Sequence, residues 1–100
     1  MEITKTLEGN KLCIAVDGRL DTVTSPQLEA ELDAMPEDVK ELVFDFEKLD
    51  YISSAGLRVV LVAQKRMDAR ENGCFKVRNI GEVVKDVFDT TGFSDIITIE

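Results

Sequence analysis

Leu49-Asp50-Tyr51-Ile52-Ser53-Ser54-Ala55-Gly56-Leu57-Arg58 is the stretch on which the reading of this 100-residue chain turns. Two adjacent hydroxyls stand between an apolar run that reads as a buried strand and a long amphipathic run that reads as a helix. A serine at such a junction lies where the first backbone N–H groups of the helix lack partners and where the macrodipole favours negative charge. Two readings are open for it. It caps the helix, or it accepts a phosphate whose charge the fold tolerates and a partner feels.

Working outward, Leu42–Phe46 is a central strand, and Leu12–Val16 is an uninterrupted apolar run ended by Asp17-Gly18, as expected for a strand covered on both faces. Met1–Leu7 alternates weakly and predicts an edge strand, closed by the turn Glu8–Lys11. Thr24-Ser25-Pro26-Gln27 opens a helix: either Ser25 caps it with Pro26 at the first helical position, or Thr24 and Gln27 form a capping box. Leu28, Leu32 and Met35 mark its apolar face, and Pro36 breaks it. The helix that begins near Ser54 buries Leu57, Val60, Leu61 and Met67, with Val59, Val62 and Ala63 widening the stripe; Lys65, Arg66 and Arg70 suit its C-terminal half, and Asn72-Gly73 stops it. Phe75–Val77 predicts a short strand, Val83, Val84, Val87 and Phe88 a third helix stopped at Gly92, and Ile96–Ile99 a last strand. Strands alternating with helices imply an α/β layer structure with right-handed crossovers and a partly parallel sheet. No linker, repeat or low-complexity segment divides the chain, so residues 1–100 are read as one domain.

Composition narrows the function. The chain is 44% hydrophobic and 32% charged, as in a globular protein with a single core. No apolar run approaches the roughly 20 residues that cross a bilayer, and no signal-type N-terminus is present. Twelve Lys+Arg against twenty Asp+Glu give a net charge of −8, which argues against nucleic acid as a ligand. That charge suits contact with a basic protein surface, though acidity more often serves solubility alone. Cys13 and Cys74 lie far apart in apolar, strand-like stretches and are read as buried structural thiols in a reducing compartment.

The chain has no histidine, hence neither the commonest general base nor the usual activator of a serine nucleophile. A nucleophile elbow needs glycine where Ile52 stands, and no phosphate-binding glycine loop is present. Asp17, Asp21, Asp45, Glu47 and Asp50 cluster near strand ends; such carboxylates can hold Mg²⁺ or accept phosphate, but more often cap loops and helices. A receiver-type site also wants a lysine at a late strand end, and Lys76 lies mid-strand. The expectation is a chain without catalytic residues, metal or cofactor.

Tyr51-Ile52-Ser53-Ser54-Ala55-Gly56-Leu57, followed by Val59-Val60-Leu61, resembles the signature loop and helix start of the STAS domain, which joins sulfate transporters with bacterial anti-sigma factor antagonists. Val16-Asp17-Gly18-Arg19-Leu20-Asp21-Thr22 is similar to the family's Gly-x-Leu-Asp turn, and Val83–Phe93 to its closing helix and glycine-aromatic exit. The likeness runs from about residue 10 to the C-terminus. It implies a small mixed sheet of four to five strands with helices mainly on one side, in a free-standing, cytoplasmic domain that is a monomer when free. It further implies an anti-sigma factor antagonist that binds an anti-sigma factor serine kinase, loses that binding when the kinase phosphorylates its loop serine, and is reset by a serine phosphatase. The family's Asp-Ser-Ser/Thr-Gly-Leu-Gly places the phosphoacceptor at Ser54, with Ser53 in the place of the aspartate and Arg58 in the place of the second glycine. Arg58, about one turn from Ser54, offers a cation to a phosphate on the domain itself. Asp21 matches the loop aspartate beside the phosphosite, and Asp21, Ser53, Ser54, Gly56 and Arg58 together form the expected partner surface. The other implied class is a scaffolding STAS module in a larger assembly, in which these serines are only caps.

Overall fold

A computed structural model describes all residues, Met1–Glu100. The chain runs β1 (Glu2–Glu8), β2 (Lys11–Leu20), α1 (Ser25–Asp33), β3 (Glu41–Asp45), β4 (Leu49–Ile52), α2 (Ser54–Asp68), β5 (Cys74–Arg78), α3 (Glu82–Thr91), a 3₁₀ turn at Phe93–Asp95, and β6 (Thr98–Ile99). The strands form one six-stranded sheet in the order β1-β2-β3-β5-β6, with β4 paired separately to β2. Only the β1–β2 pair is antiparallel, so the sheet is mixed as expected.

The sixth strand, β4, exceeds the expected four to five because β2 serves two partners in succession. Residues Lys11–Ala15 of β2 pair with β3, and Gly18–Leu20 pair with β4. The register shifts between Gly18 and Arg19, where Gly18 adopts φ +109°, a conformation that a β-carbon would strain. Gly18 N–H donates to the Lys48 carbonyl at 3.0 Å, which fastens the start of β4 to this kink.

The helices lie on one face of the sheet. Leu12, Ile14 and Val16 of β2, Leu42 and Phe44 of β3, and Phe75 and Val77 of β5 point to that face. They join Leu28 and Leu32 of α1, Leu57, Val60, Ala63 and Met67 of α2, and Val84 and Phe88 of α3 in a single cluster of 23 buried residues. Phe44 and Phe75 meet edge-on at its centre, with ring centroids 4.9 Å apart.

The opposite face carries no helix. This corrects the reading of Leu12–Val16 as covered on both sides: Cys13 and Ala15 are only half-buried and stand beside Thr6 and Thr4 of β1. It also corrects the cysteines, since Cys74 is exposed and Cys13 half-buried. Charged residues cover much of this face. Lys76 Nζ lies 3.2 Å from Glu41 and 3.2 Å from Glu100, and Arg78 Nε lies 3.4 Å from Asp45. Beneath them Val43 is fully buried. On α3, Val83 faces outward, while Gly92 ends the helix in a left-handed conformation as predicted. No helix is long and apolar enough to cross a membrane.

One contact sets how closely α2 approaches the strand ends. A β-carbon on Gly56 would lie 2.7 Å from Ile52 Cγ1, 2.8 Å from the Leu20 carbonyl oxygen and 2.9 Å from Leu20 Cγ. In an open helix interior, Gly→Ala stabilises by roughly 0.5–1 kcal/mol. Here the sign reverses, because the nearest neighbours are a backbone oxygen and fully packed core side chains. Gly56→Ala is expected to destabilise the domain by about 1–3 kcal/mol, lowering the melting temperature by at least about 4 °C. Gly56→Val is expected to cost more. Calorimetry of the two variants checks this, and an alanine variant that melts at or above the parent temperature overturns it.

Candidate functional site

The C-terminal ends of β2 and β4 are parallel neighbours, so the segments leaving them emerge side by side. From β2 comes the turn Asp21–Thr24 and then α1; from β4 come Ser53 and α2. Ser53 N–H donates to the Leu20 carbonyl at 2.9 Å, which joins the two exits, and Leu57 N–H donates to the Ser53 carbonyl at 2.9 Å, which begins the helix.

Ser53 occupies the capping position of α2 with extended backbone (φ −99°, ψ 178°), yet no side chain caps this helix. The Ser53 hydroxyl is buried without a hydrogen-bond partner. Nor is there an acidic residue in the first turn of α2. The first N–H groups and the positive end of the helix dipole therefore lack a side-chain acceptor. Ser54, the first helical residue, is exposed. The capping reading of these hydroxyls does not hold in the structure.

Asp21 is built into its own turn. Its Oδ1 accepts hydrogen bonds from Val23 N–H (3.0 Å) and Thr24 N–H (3.0 Å). Thr24 Oγ1 accepts from Asp21 N–H at 2.9 Å and donates to the Arg19 carbonyl at 2.7 Å. The bond from Thr24 N–H chiefly holds the Asp21 carboxyl below the usual aspartate range, with further help from Val23 N–H and Arg19. A lowered folded value means that the charged form stabilises the turn above the ordinary aspartate pKa, and that this is lost as pH falls through the folded value. Thr24 stands at the capping position of α1 but makes no side-chain capping bond, so no capping box forms with Gln27, and the Ser25 hydroxyl is buried and unpartnered.

Two further residues of this end meet only through the pairing of β2 with β4. Arg19 and Tyr51 are register partners across β2 and β4, and the Arg19 guanidinium lies 4.3 Å from the centroid of the Tyr51 ring. Arg19 Nε is also 3.7 Å from Asp21 Oδ2. Beyond them Val23 is 84% exposed, the most solvent-accessible large apolar residue of the chain.

The predicted site residues thus divide by role. Ser54 and Arg58 are exposed, Asp21 and Ser53 are half-buried, and Gly56 is buried, so Gly56 shapes the surface from beneath. Arg58 does not stand free. Its guanidinium is 2.6 Å from Glu29 Oε1 on α1. The strand-end carboxylates do not converge on a metal, since no group of three or more metal-ligating side chains comes together. Asp45 is bound to Arg78, to Asn79 and to Glu47 N–H. Asp17, Asp45 and Glu47 line a shallow hollow of about 310 Å³ on the helix-free side, together with Glu2, Thr4 and Lys48.

Known proteins similar to this chain carry one family of names. BtrV of Bordetella bronchiseptica, assigned as an anti-sigma factor antagonist, is 34% identical over 100 residues, spanning 99% of this chain and 85% of its own. The anti-sigma-B factor antagonist of Bacillus subtilis is 30% identical over 90 residues, spanning 90% of this chain and 82% of its own. Among solved structures, an anti-sigma factor antagonist from Mycobacterium paratuberculosis superposes with a TM-score of 0.86 at 23% identity, covering 98% of this chain and 83% of that one. The unphosphorylated antagonist SpoIIAA gives 0.77 at 20% identity over 99% of this chain and 87% of its own, and the phosphorylated form of the Bacillus protein gives 0.76 over 99% and 91%. The family model for the STAS domain matches residues 2–100, and with it the fold, the loop and the relatives agree: the chain belongs to the STAS domain family.

Proposed function

We propose that this domain is an anti-sigma factor antagonist, a regulatory protein that binds an anti-sigma factor serine kinase and is released when Ser54 is phosphorylated. The observation that carries the reading is an exposed Ser54 at a helix start that no side chain caps. In the phosphorylation step the Ser54 oxygen bonds to the γ-phosphorus of ATP held by the kinase. The bond from that phosphorus to the bridging oxygen breaks, ADP leaves, and the hydroxyl proton passes to a base on the kinase. A serine phosphatase hydrolyses the ester and restores the binding form. The domain contributes an acceptor and a docking surface, and no catalytic group.

Charge explains the switch. A phosphate adds about −1.5 to −2 charges. Within the domain the dipole of α2 favours that charge by roughly 0.3–1 kcal/mol, so the fold should tolerate it. SpoIIAA, known in both forms with near-equal similarity to this chain, supports such tolerance in a related fold. A partner surface pressed against the loop has no matching compensation, and an unpaired charge buried there costs several kcal/mol. Each 1.4 kcal/mol is tenfold in affinity.

Ser54→Asp is accordingly expected to fold with an unchanged melting temperature and to bind the kinase about a hundredfold more weakly. Ser54→Ala is expected to bind and never to gain phosphate, while Ser53→Ala remains a substrate. Intact-mass analysis after incubation with the kinase and ATP, alongside calorimetric titration, checks all three. Phosphate on Ser53, or normal binding by Ser54→Asp, overturns the assignment.

Asp21→Asn separates turn from interface. Asparagine keeps the side-chain oxygen that accepts from Val23 and Thr24 but removes the charge, and it caps about as well as aspartate. The expected result is a melting temperature within a few degrees of the parent and partner affinity lower by about tenfold, mostly through slower association. A lower melting point with undiminished affinity would make Asp21 a structural residue only.

A further inference from the structure

The cation nearest Ser54 along its helix is already engaged by another element. Ser54 and Arg58 are four residues apart on α2, so their side chains occupy one face about a turn apart. The Arg58 guanidinium reaches across to Glu29 of α1 at 2.6 Å, while its side chain remains 60% exposed. We propose that this ion pair is an exchangeable latch: a phosphate on Ser54 competes with Glu29 for Arg58, takes it, and leaves the Glu29 carboxylate unpaired on the adjoining surface of α1.

The competition favours the phosphate. An exposed carboxylate–guanidinium pair contributes little, because water screens it and two long side chains must be held still. A phosphate dianion brings nearly twice the charge and three acceptor oxygens, and with the acid N-terminal to the base at this spacing the pairing agrees with the helix dipole. Arg19, the other cation at this end, stands on β2 over the Tyr51 ring and beside Asp21, whereas Arg58 shares the helix and the face of Ser54 at four-residue spacing.

The helix pair withstands the loss. Arg66 of α2 pairs with Asp33 of α1 at 2.5 Å, and Arg70 donates to the carbonyls of Pro36 (2.8 Å) and Val39 (2.7 Å). These contacts lie eight and twelve residues beyond Arg58, far from Ser54; the first holds the C-terminal end of α1 and the second the segment that follows it, while Arg58 swings. Phosphorylation then changes two elements at once, adding phosphate at the start of α2 and freeing an acid on α1. The inference rests on Ser54 as the phosphoacceptor.

The test installs phosphoserine at position 54 during translation, so that no kinase is needed, and follows the phosphate by ³¹P NMR across pH. A cation at the phosphate favours the dianion and lowers its titration midpoint. Arg58→Gln is expected to raise the midpoint by about 0.2–0.4 pH unit. Glu29→Gln, which removes the competitor, is expected to lower it by a similar amount, and Asp33→Asn to leave it unmoved. A midpoint insensitive to Arg58→Gln overturns the latch. So does a midpoint that responds to Arg58→Gln but not to Glu29→Gln, since Arg58 then serves the phosphate without exchange. Failure of the kinase to label Ser54 bears only on the proposed function, and leaves this measurement as it stands.

Discussion

Everything at the working end of this domain depends on how closely the first turn of α2 approaches the end of β2. The backbone of Gly56 sits where a β-carbon would meet the Leu20 carbonyl at 2.8 Å, a distance that only glycine tolerates. The same approach brings Ser53 N–H to that carbonyl at 2.9 Å and seats Leu57 and Val60 in the core. With one side of the turn pinned so tightly, the adjacent Ser54 is left at the rim, facing water. A helix standing further off would have room for a larger residue at position 56 and would lose the register between the Asp21 turn and the serine loop.

The helix that is packed so firmly is left electrostatically open. A buried hydroxyl with no partner at Ser53 and the lack of any acid in the first turn leave the positive end of α2 without a side-chain anion. In most helices a capping side chain satisfies one of those donors and contributes about 1 kcal/mol. Here that stabilisation is forgone at the helix start that carries the exposed serine. A group that arrives with negative charge therefore meets an environment already arranged for it.

Across the rest of the domain several cations are tied down in ion pairs. Arg58 and Arg66 of α2 bind Glu29 and Asp33 of α1, and on the helix-free face Lys76 and Arg78 bind Glu41, Glu100 and Asp45. Such exposed pairs add little to stability singly. Their effect is positional: they fix which side chains are committed on a domain whose net charge is −8.

The sequence by itself determined the alternation of strands and helices, because the period of apolar residues reports which face each local segment buries. It also marked Ser54 at a strand-to-helix junction and Gly56 as a glycine where a helix would otherwise prefer a side chain. Tertiary structure decided the rest. Cys13 and Ala15 extend an apolar run, yet they lie on an open face, since periodicity records hydrophobicity and not whether a second layer arrives to cover it. The strand β4 exists only because Gly18 kinks β2 and offers its far end a new partner. Arg58 reads as a free cation beside Ser54 until α1, 29 residues away in sequence, brings Glu29 against it. Arg19 and Tyr51 are joined by register alone. Each of these turns on whether segments remote in sequence meet, and the local patterns that specify a helix or a strand carry no term for what packs against it.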